Sequence, residues 1–289
     1  MPRKLPPARS STPRSSTAAA RGTARRSSVA PVLWIPAAVA VALLVLPLVA
    51  LVVRAPWGQL GELLSRPEVS QALGLSLGSA AASTVICLIL GLPLAVVLAK
   101  AGDWPPVVRR LLRALVTVPL VLPPVVGGVA LLLLLGRRGL IGQWLDEWFG
   151  FTIPFTTVAV VIAQVFVAMP FLVLSVEGAL RGSDSRFEIA ASTLGASRFT
   201  VFRRITLPLV APGVSAGALL CFTRALGEFG ATITFAGSFP GVTQTLPIST
   251  YLELQRDPDA AIALSLILMV VSVVVLVSLR DRWVPGLTS

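Results

Sequence analysis

Residues 188–208 read Glu188-Ile189-Ala190-Ala191-Ser192-Thr193-Leu194-Gly195, then nine residues from Ala196 to Arg204, then Ile205-Thr206-Leu207-Pro208. Glu188 suits the positive N-terminal end of a short helix. Ala190 and Ala191 favour that helix and permit close approach, and Gly195 permits the left-handed turn that ends it. Phe199, Phe202 and Ile205 then place an apolar face on a second helix leading to Pro208. The stretch predicts two short helices at a bend, fit to dock into a partner's cleft. Taken alone it could equally be an ordinary helix-turn-helix connector, so its flanks decide.

Those flanks are apolar. Six stretches, near 32–53, 72–99, 111–135, 155–177, 209–233 and 260–279, are long enough to cross a hydrocarbon core of about 30 Å at about 1.5 Å per residue. Of the 289 residues 55% are hydrophobic and 13% charged, with a mean hydropathy of +0.86. Soluble domains carry about 25% charged residues, and two packed layers of a soluble fold could not hide this much apolar surface. An all-α integral membrane domain over 31–284 follows, with the 178–208 connection projecting from it. Outside it lie a disordered basic tail, 1–30, and a short C-terminal tail, 285–289.

Basic residues orient the spans. The N-terminal tail (Arg3, Lys4, Arg9, Arg14, Arg21, Arg25, Arg26), the 100–113 connection, the 178–208 connection and the C-terminus hold eighteen of the 24 Lys and Arg. The alternate segments hold only Arg54, Arg66, Arg137, Arg138 and Arg256. Positive residues accumulate on the cytoplasmic side, so both termini are expected inside, with an even number of spans. The apolar stretch from Val32 to Val53 exceeds a signal-peptide core of roughly 7–15 residues.

Composition excludes several functions. The formal net charge of +11 sits at the ends of apolar stretches and not on one interleaved basic face, so no nucleic-acid partner is expected. There is no His, which removes His-based metal sites and Ser-His-Asp triads. Cys87 and Cys221 fall inside apolar runs and read as buried free thiols. The only lysines, Lys4 and Lys100, follow no phosphate-binding glycine loop. No cofactor is expected, and any ATP must be bound by another chain. Gly74 and Gly78, with Ser79, Ala80 and Ser83 nearby, read as close helix packing within the subunit.

Two further segments carry chemistry. Arg224 and Glu228 are four apart and would share a helix face. Charges this deep face a bundle interior or a watery cavity by default. They read either as a structural ion pair or as a gate, with Gly227 and Gly230 allowing a bend or tight packing and Thr232 following. Glu228 would lie roughly 28 Å along a helix counted from Leu209, at the far mouth. In the third span, Pro119, Pro123 and Pro124 precede Gly127 and Gly128. Two adjacent prolines remove backbone donors, and broken backbone at membrane depth is tolerated only against protein or a water-filled cavity. This stretch is expected to line a path or to form a packed kink.

The spacing E-x-A-A-x-x-x-G, nine residues, I-x-L-P resembles the "EAA" loop of permease subunits in ATP-binding-cassette importers. The run Leu226-Gly227-Glu228-Phe229-Gly230-Ala231-Thr232-Ile233-Thr234-Phe235 resembles the signature of molybdate permeases; sulfate permeases share the G-E-[FY]-G core but usually diverge after it. The run from Pro119 to Gly127 points the same way. The resemblance spans roughly residues 68–280 and implies a type I importer permease fold of six transmembrane helices in the bacterial plasma membrane. It implies coupling to the ATPase through Glu188, Ala190, Ala191, Gly195, Phe199, Ile205, Leu207 and Pro208. It further implies a pathway or gate at Pro119, Pro123, Pro124, Gly127, Arg224, Gly227, Glu228, Gly230 and Thr232.

The implied partners are a second copy of the chain, two cytoplasmic ATPase subunits, an extracytoplasmic binding protein and the lipid bilayer. The chain itself would not be an enzyme. With no cluster of Lys or Arg inside the spans, the pathway would hold its anion weakly. Sulfate or thiosulfate import is the near rival. An ion-gradient-driven transporter fits Pro123-Pro124 but not the docking loop, and a membrane-embedded enzyme lacks acid–base residues.

Overall fold

The computed structural model describes residues 31–184 and 186–280; the expected tails 1–30 and 285–289 lie outside them. The chain divides into two units, Met1–Leu48 and Val49–Ser289. Most of helix α1, Trp34–Val53, belongs to the first. It is apolar on every face, and its 20 residues give about 30 Å, the thickness of a hydrocarbon core.

Among its described residues the regular elements of the second unit are all helices, and no strand occurs among the described residues. Its helices are α2 (Leu60–Ser65), α3 (Pro67–Lys100), α4 (Pro106–Val121), α5 (Pro124–Leu135), α6 (Gly142–Phe149), α7 (Thr157–Gly182), α8 (Arg186–Thr193), α9 (Arg198–Val201), α10 (Leu207–Leu226), α11 (Gly230–Ala236), α12 (Leu246–Glu253) and α13 (Pro258–Arg280). Among the described residues of the whole chain, α1 included, five helical segments are long and apolar enough to span a membrane, or six if α4 and α5 count as one. The third span, placed over 111–135, is broken where its adjacent prolines stand: Pro123 cannot donate within a helix, Leu122 and Pro123 are extended, and the two helices bend by 115°.

Small side chains explain the packing. Along α3 the buried positions include Ala72, Ser76, Ser79, Ala80, Ser83, Cys87, Gly91 and Ala95, recurring every three or four residues, so α7 and α10 approach closely. Gln164 of α7 ties this seam. Its amide donates to Ser79 Oγ at 3.0 Å, and its carbonyl accepts from Ser83 Oγ at 2.9 Å. Gly74 and Gly78 do not pack as expected, since a Cβ at either would meet nothing. In this seam the glycines that admit a neighbour are Gly91 of α3, against Leu172 and Val173, and Gly213 and Gly217 of α10, against Ala179, Ser175 and Leu172 of α7. Cys87 and Cys221 are buried free thiols in this core. A second core joins α5, α7 and α11 around Leu131, Ala163 and Phe235.

Candidate functional site

The segment 186–208 folds largely as its residues dictate. Gly195 adopts φ +83°, Ala196 N–H bonds to Ala191 O at 3.1 Å, and Gly195 N–H bonds to Ser192 O at 3.1 Å. These two bonds close α8 in a Schellman turn. Ser197 caps α9, its hydroxyl accepting from Thr200 N–H at 3.2 Å. The second helix is not a separate short one, however. A π turn, Phe202–Thr206, carries α9 directly into α10, with Leu207 N–H bonded to Phe202 O. Pro208 has no N–H to offer the Arg204 carbonyl, and the ladder shifts register just before it.

Glu188 anchors the element. One carboxylate oxygen accepts from Thr206 Oγ1 at 2.5 Å, and the other lies 3.9 Å from Lys100 Nζ. Ala190 is exposed, Ala191 and Leu207 are half-buried, and Pro208 is exposed. The expected apolar face is redistributed, because Phe202 and Ile205 turn partly inward as the helix continues. Phe199 stays exposed and is joined by Phe187, Ile189 and Leu194, the last 88% exposed. Those three were missed because they flank the motif's fixed positions. The signal was there, since four large apolar residues lie within thirteen positions of an otherwise polar connection.

The two other segments meet. α5 crosses α11 so closely that a Cβ at Gly128 would lie 2.7 Å from Ala231 O, and one at Gly230 would lie 2.9 Å from Pro124 Cβ. Only glycine admits that crossing. Gly127 faces the Phe166 ring and is buried, whereas Pro123 and Pro124 are exposed and Pro119 lies inside α4, half-buried.

Arg224 and Glu228 do pair, at 2.6 Å, but not along one helix. α10 stops at Leu226 with Gly227 as its C-cap, so Glu228 sits in the break. The break lets its Oε1 accept from Ala231 N–H at 2.8 Å and hold the start of α11. A count of residues along one continuous helix therefore does not locate it. Glu228 is 1% exposed, and the Thr232 hydroxyl beside it is buried without a hydrogen-bond partner.

Among the described residues no cluster of Cys, Asp and Glu could bind a metal, and the Arg224 charge is met by Glu228. One buried group escaped sequence reasoning altogether. Glu177 of α7 accepts from Arg113 of α4 and from Arg181. The arginines read as loop charges, and only the spacing of Glu177 and Arg181 hinted at a pair.

Residues 91–285 match the model of the family described as binding-protein-dependent transport system inner membrane component. The chain is 50% identical over 249 residues to the molybdenum transport system permease protein ModB of Mycobacterium tuberculosis, covering 86% of this chain and 93% of that one. It is 34% identical over 242 residues to the sulfate transport system permease protein CysT of Escherichia coli, covering 82% and 86%. Among solved structures it resembles a chain of the bacterial alginate ABC transporter, crystallised with a pentasaccharide-bound periplasmic protein. There the TM-score is 0.67 at 15% identity, over 86% of this chain and 93% of that one, a likeness of fold.

Proposed function

The chain belongs to the binding-protein-dependent transport system inner membrane component family, and from that membership we propose that it is the membrane-spanning permease subunit of an ATP-driven molybdate importer. The observation that carries this reading is its likeness to the molybdenum permease, greater than that to the sulfate permease over a similar length. The subunit is not itself an enzyme.

Two copies form the pathway in the bacterial plasma membrane, with both termini in the cytoplasm. The α8–α9 element then faces the cytoplasm and presents Phe187, Ile189, Leu194 and Phe199 to a cleft on each of two ATPase subunits. An extracytoplasmic binding protein delivers the anion. Closure of the ATPases on ATP moves the elements and opens the pathway outward, and hydrolysis returns it inward. Pro119, Pro123, Pro124 and Gly127 on the α4–α5 side, with Gly227, Gly230 and Thr232 on the α11 side, form the moving constriction. The neutralised Arg224 supports weak holding of a dianion, which allows release.

Reconstitution with the partner ATPase and binding protein in vesicles tests the reading. Uptake of labelled molybdate is expected to require ATP, to be abolished by unlabelled molybdate, and to survive a large excess of sulfate. Equal competition by sulfate would favour the sulfate reading. Uptake driven by an ion gradient without ATP would replace the importer with a secondary transporter.

A further inference from the structure

Glu177 lies near the end of α7 and is 3% exposed. Its Oε1 accepts from two guanidinium groups, Nη2 of Arg113 on α4 and, at 2.9 Å, Nε of Arg181 one turn along α7. Arg181 also reaches the Leu98 carbonyl on α3 at 3.4 Å. Two residues beyond Leu98, Lys100 faces Glu188 of α8. Charge therefore ties the ends of α3 and α7, the middle of α4 and the start of α8 at one place.

α4 rests Leu112 and Val116 against the core but buries them only in part. The helix buries no residue fully. Among the described residues, Arg113–Glu177 is the only side-chain hydrogen bond or ion pair that joins α4 to another α-helix, the remaining one running from Arg109 to the Gly102 carbonyl in the short 3-10 turn just before α4. At its far end α4 turns through the extended Leu122-Pro123 joint into α5, which crosses α11 at Gly128. A buried carboxylate is costly unless paired, and an apolar residue could fasten α4 to α7 without that cost. The carboxylate adds direction, because guanidinium and carboxylate hold a defined geometry.

We propose that Glu177 is a positioning residue that transmits movement of the α8–α9 element to the broken span α4–α5, and so to its crossing with α11; this rests on the transport reading above. α7 ends three residues before α8 begins, so displacement of α8 acts directly on the end of α7 that carries Glu177. The half of α4 beyond Arg113, about 12 Å from there to Val121 at 1.5 Å per residue, is a lever gripped at Arg113 and hinged at Pro123. Shifting its grip swings α5 relative to α11.

The assembled importer in vesicles allows ATP hydrolysis and molybdate delivery to be measured together. Glu177→Gln keeps the size and removes the charge. It is expected to leave hydrolysis within about twofold of the unaltered protein while uptake falls about tenfold or more, with Glu177→Asp recovering most of the uptake. Arg113→Gln is expected to give the same split from the α4 side.

A second readout needs no substrate. With Cys87 and Cys221 replaced by alanine, Val126→Cys on α5 reports by its maleimide-labelling rate. That rate is expected to change on adding ATP, and to lose the response when Glu177→Gln is introduced. Hydrolysis and uptake falling in step without recovery by aspartate, or a labelling response that persists in Glu177→Gln, would overturn the proposal. If the unaltered assembly carries no molybdate the transport reading fails, and the labelling response alone decides on Glu177.

Discussion

Gly195→Asp is expected to abolish ATP-driven uptake while leaving the chain inserted at normal abundance. Gly195 holds φ +83° and closes α8 through the Ala196–Ala191 bond. A side chain held in the left-handed region costs about 1–3 kcal/mol. The larger effect comes from position. Leu194 and Phe199, both exposed, flank Gly195, so a partner covering them would also cover the new carboxylate, and an unpaired buried charge costs several kcal/mol. Since each 1.4 kcal/mol is about tenfold in an equilibrium, uptake is expected to fall by more than about a hundredfold. Gly195→Asn, which tolerates the same φ without charge, is expected to lose far less. Uptake assays beside membrane quantification check both, and near-normal transport by Gly195→Asp would remove the docking role.

Glu228→Gln is expected to have the second largest effect. Glutamine can still accept from Ala231 N–H, so the start of α11 keeps that bond. What is lost is the partner of Arg224, whose side chain is only 26% exposed. Breaking a buried pair from one side costs about 3–5 kcal/mol, a large part of the 5–15 kcal/mol that holds a typical fold. The unfolding midpoint in detergent and the rate of uptake are both expected to fall. Glu228→Leu combined with Arg224→Leu removes the stranded charge as well and is expected to regain stability without regaining transport. Recovery of both would make the pair structural alone.

The membrane class was legible because apolar length is a direct physical requirement of the bilayer. The turn at Gly195 and the break at Pro123-Pro124 were legible because each is a local backbone demand. The 115° bend was not, since local chemistry says that a helix stops and tertiary packing says where the next one goes. Glu228 was placed on the helix because an i, i+4 pair looks the same whether or not the helix ends at Gly227.

Helix faces were also hidden. In α3 nearly every residue is apolar or small, so Gly74 and Gly78 read as one face with Ser79, Ala80 and Ser83; those three lie in the buried seam with Ser76, while the two glycines face no neighbour. Glu177 was overlooked because its partner Arg113 lies 64 residues away in the chain, a distance no periodicity bridges.

In the proposed cycle the α8–α9 element is the handle that a separate motor moves. Leu194→Cys, in a chain lacking Cys87 and Cys221, tests it by crosslinking in the assembled importer. The predicted result is a crosslink to the ATPase subunit whose yield changes with nucleotide, and no labelling by an impermeant maleimide added outside intact cells. Labelling from outside, or a crosslink confined to the extracytoplasmic binding protein, would contradict it.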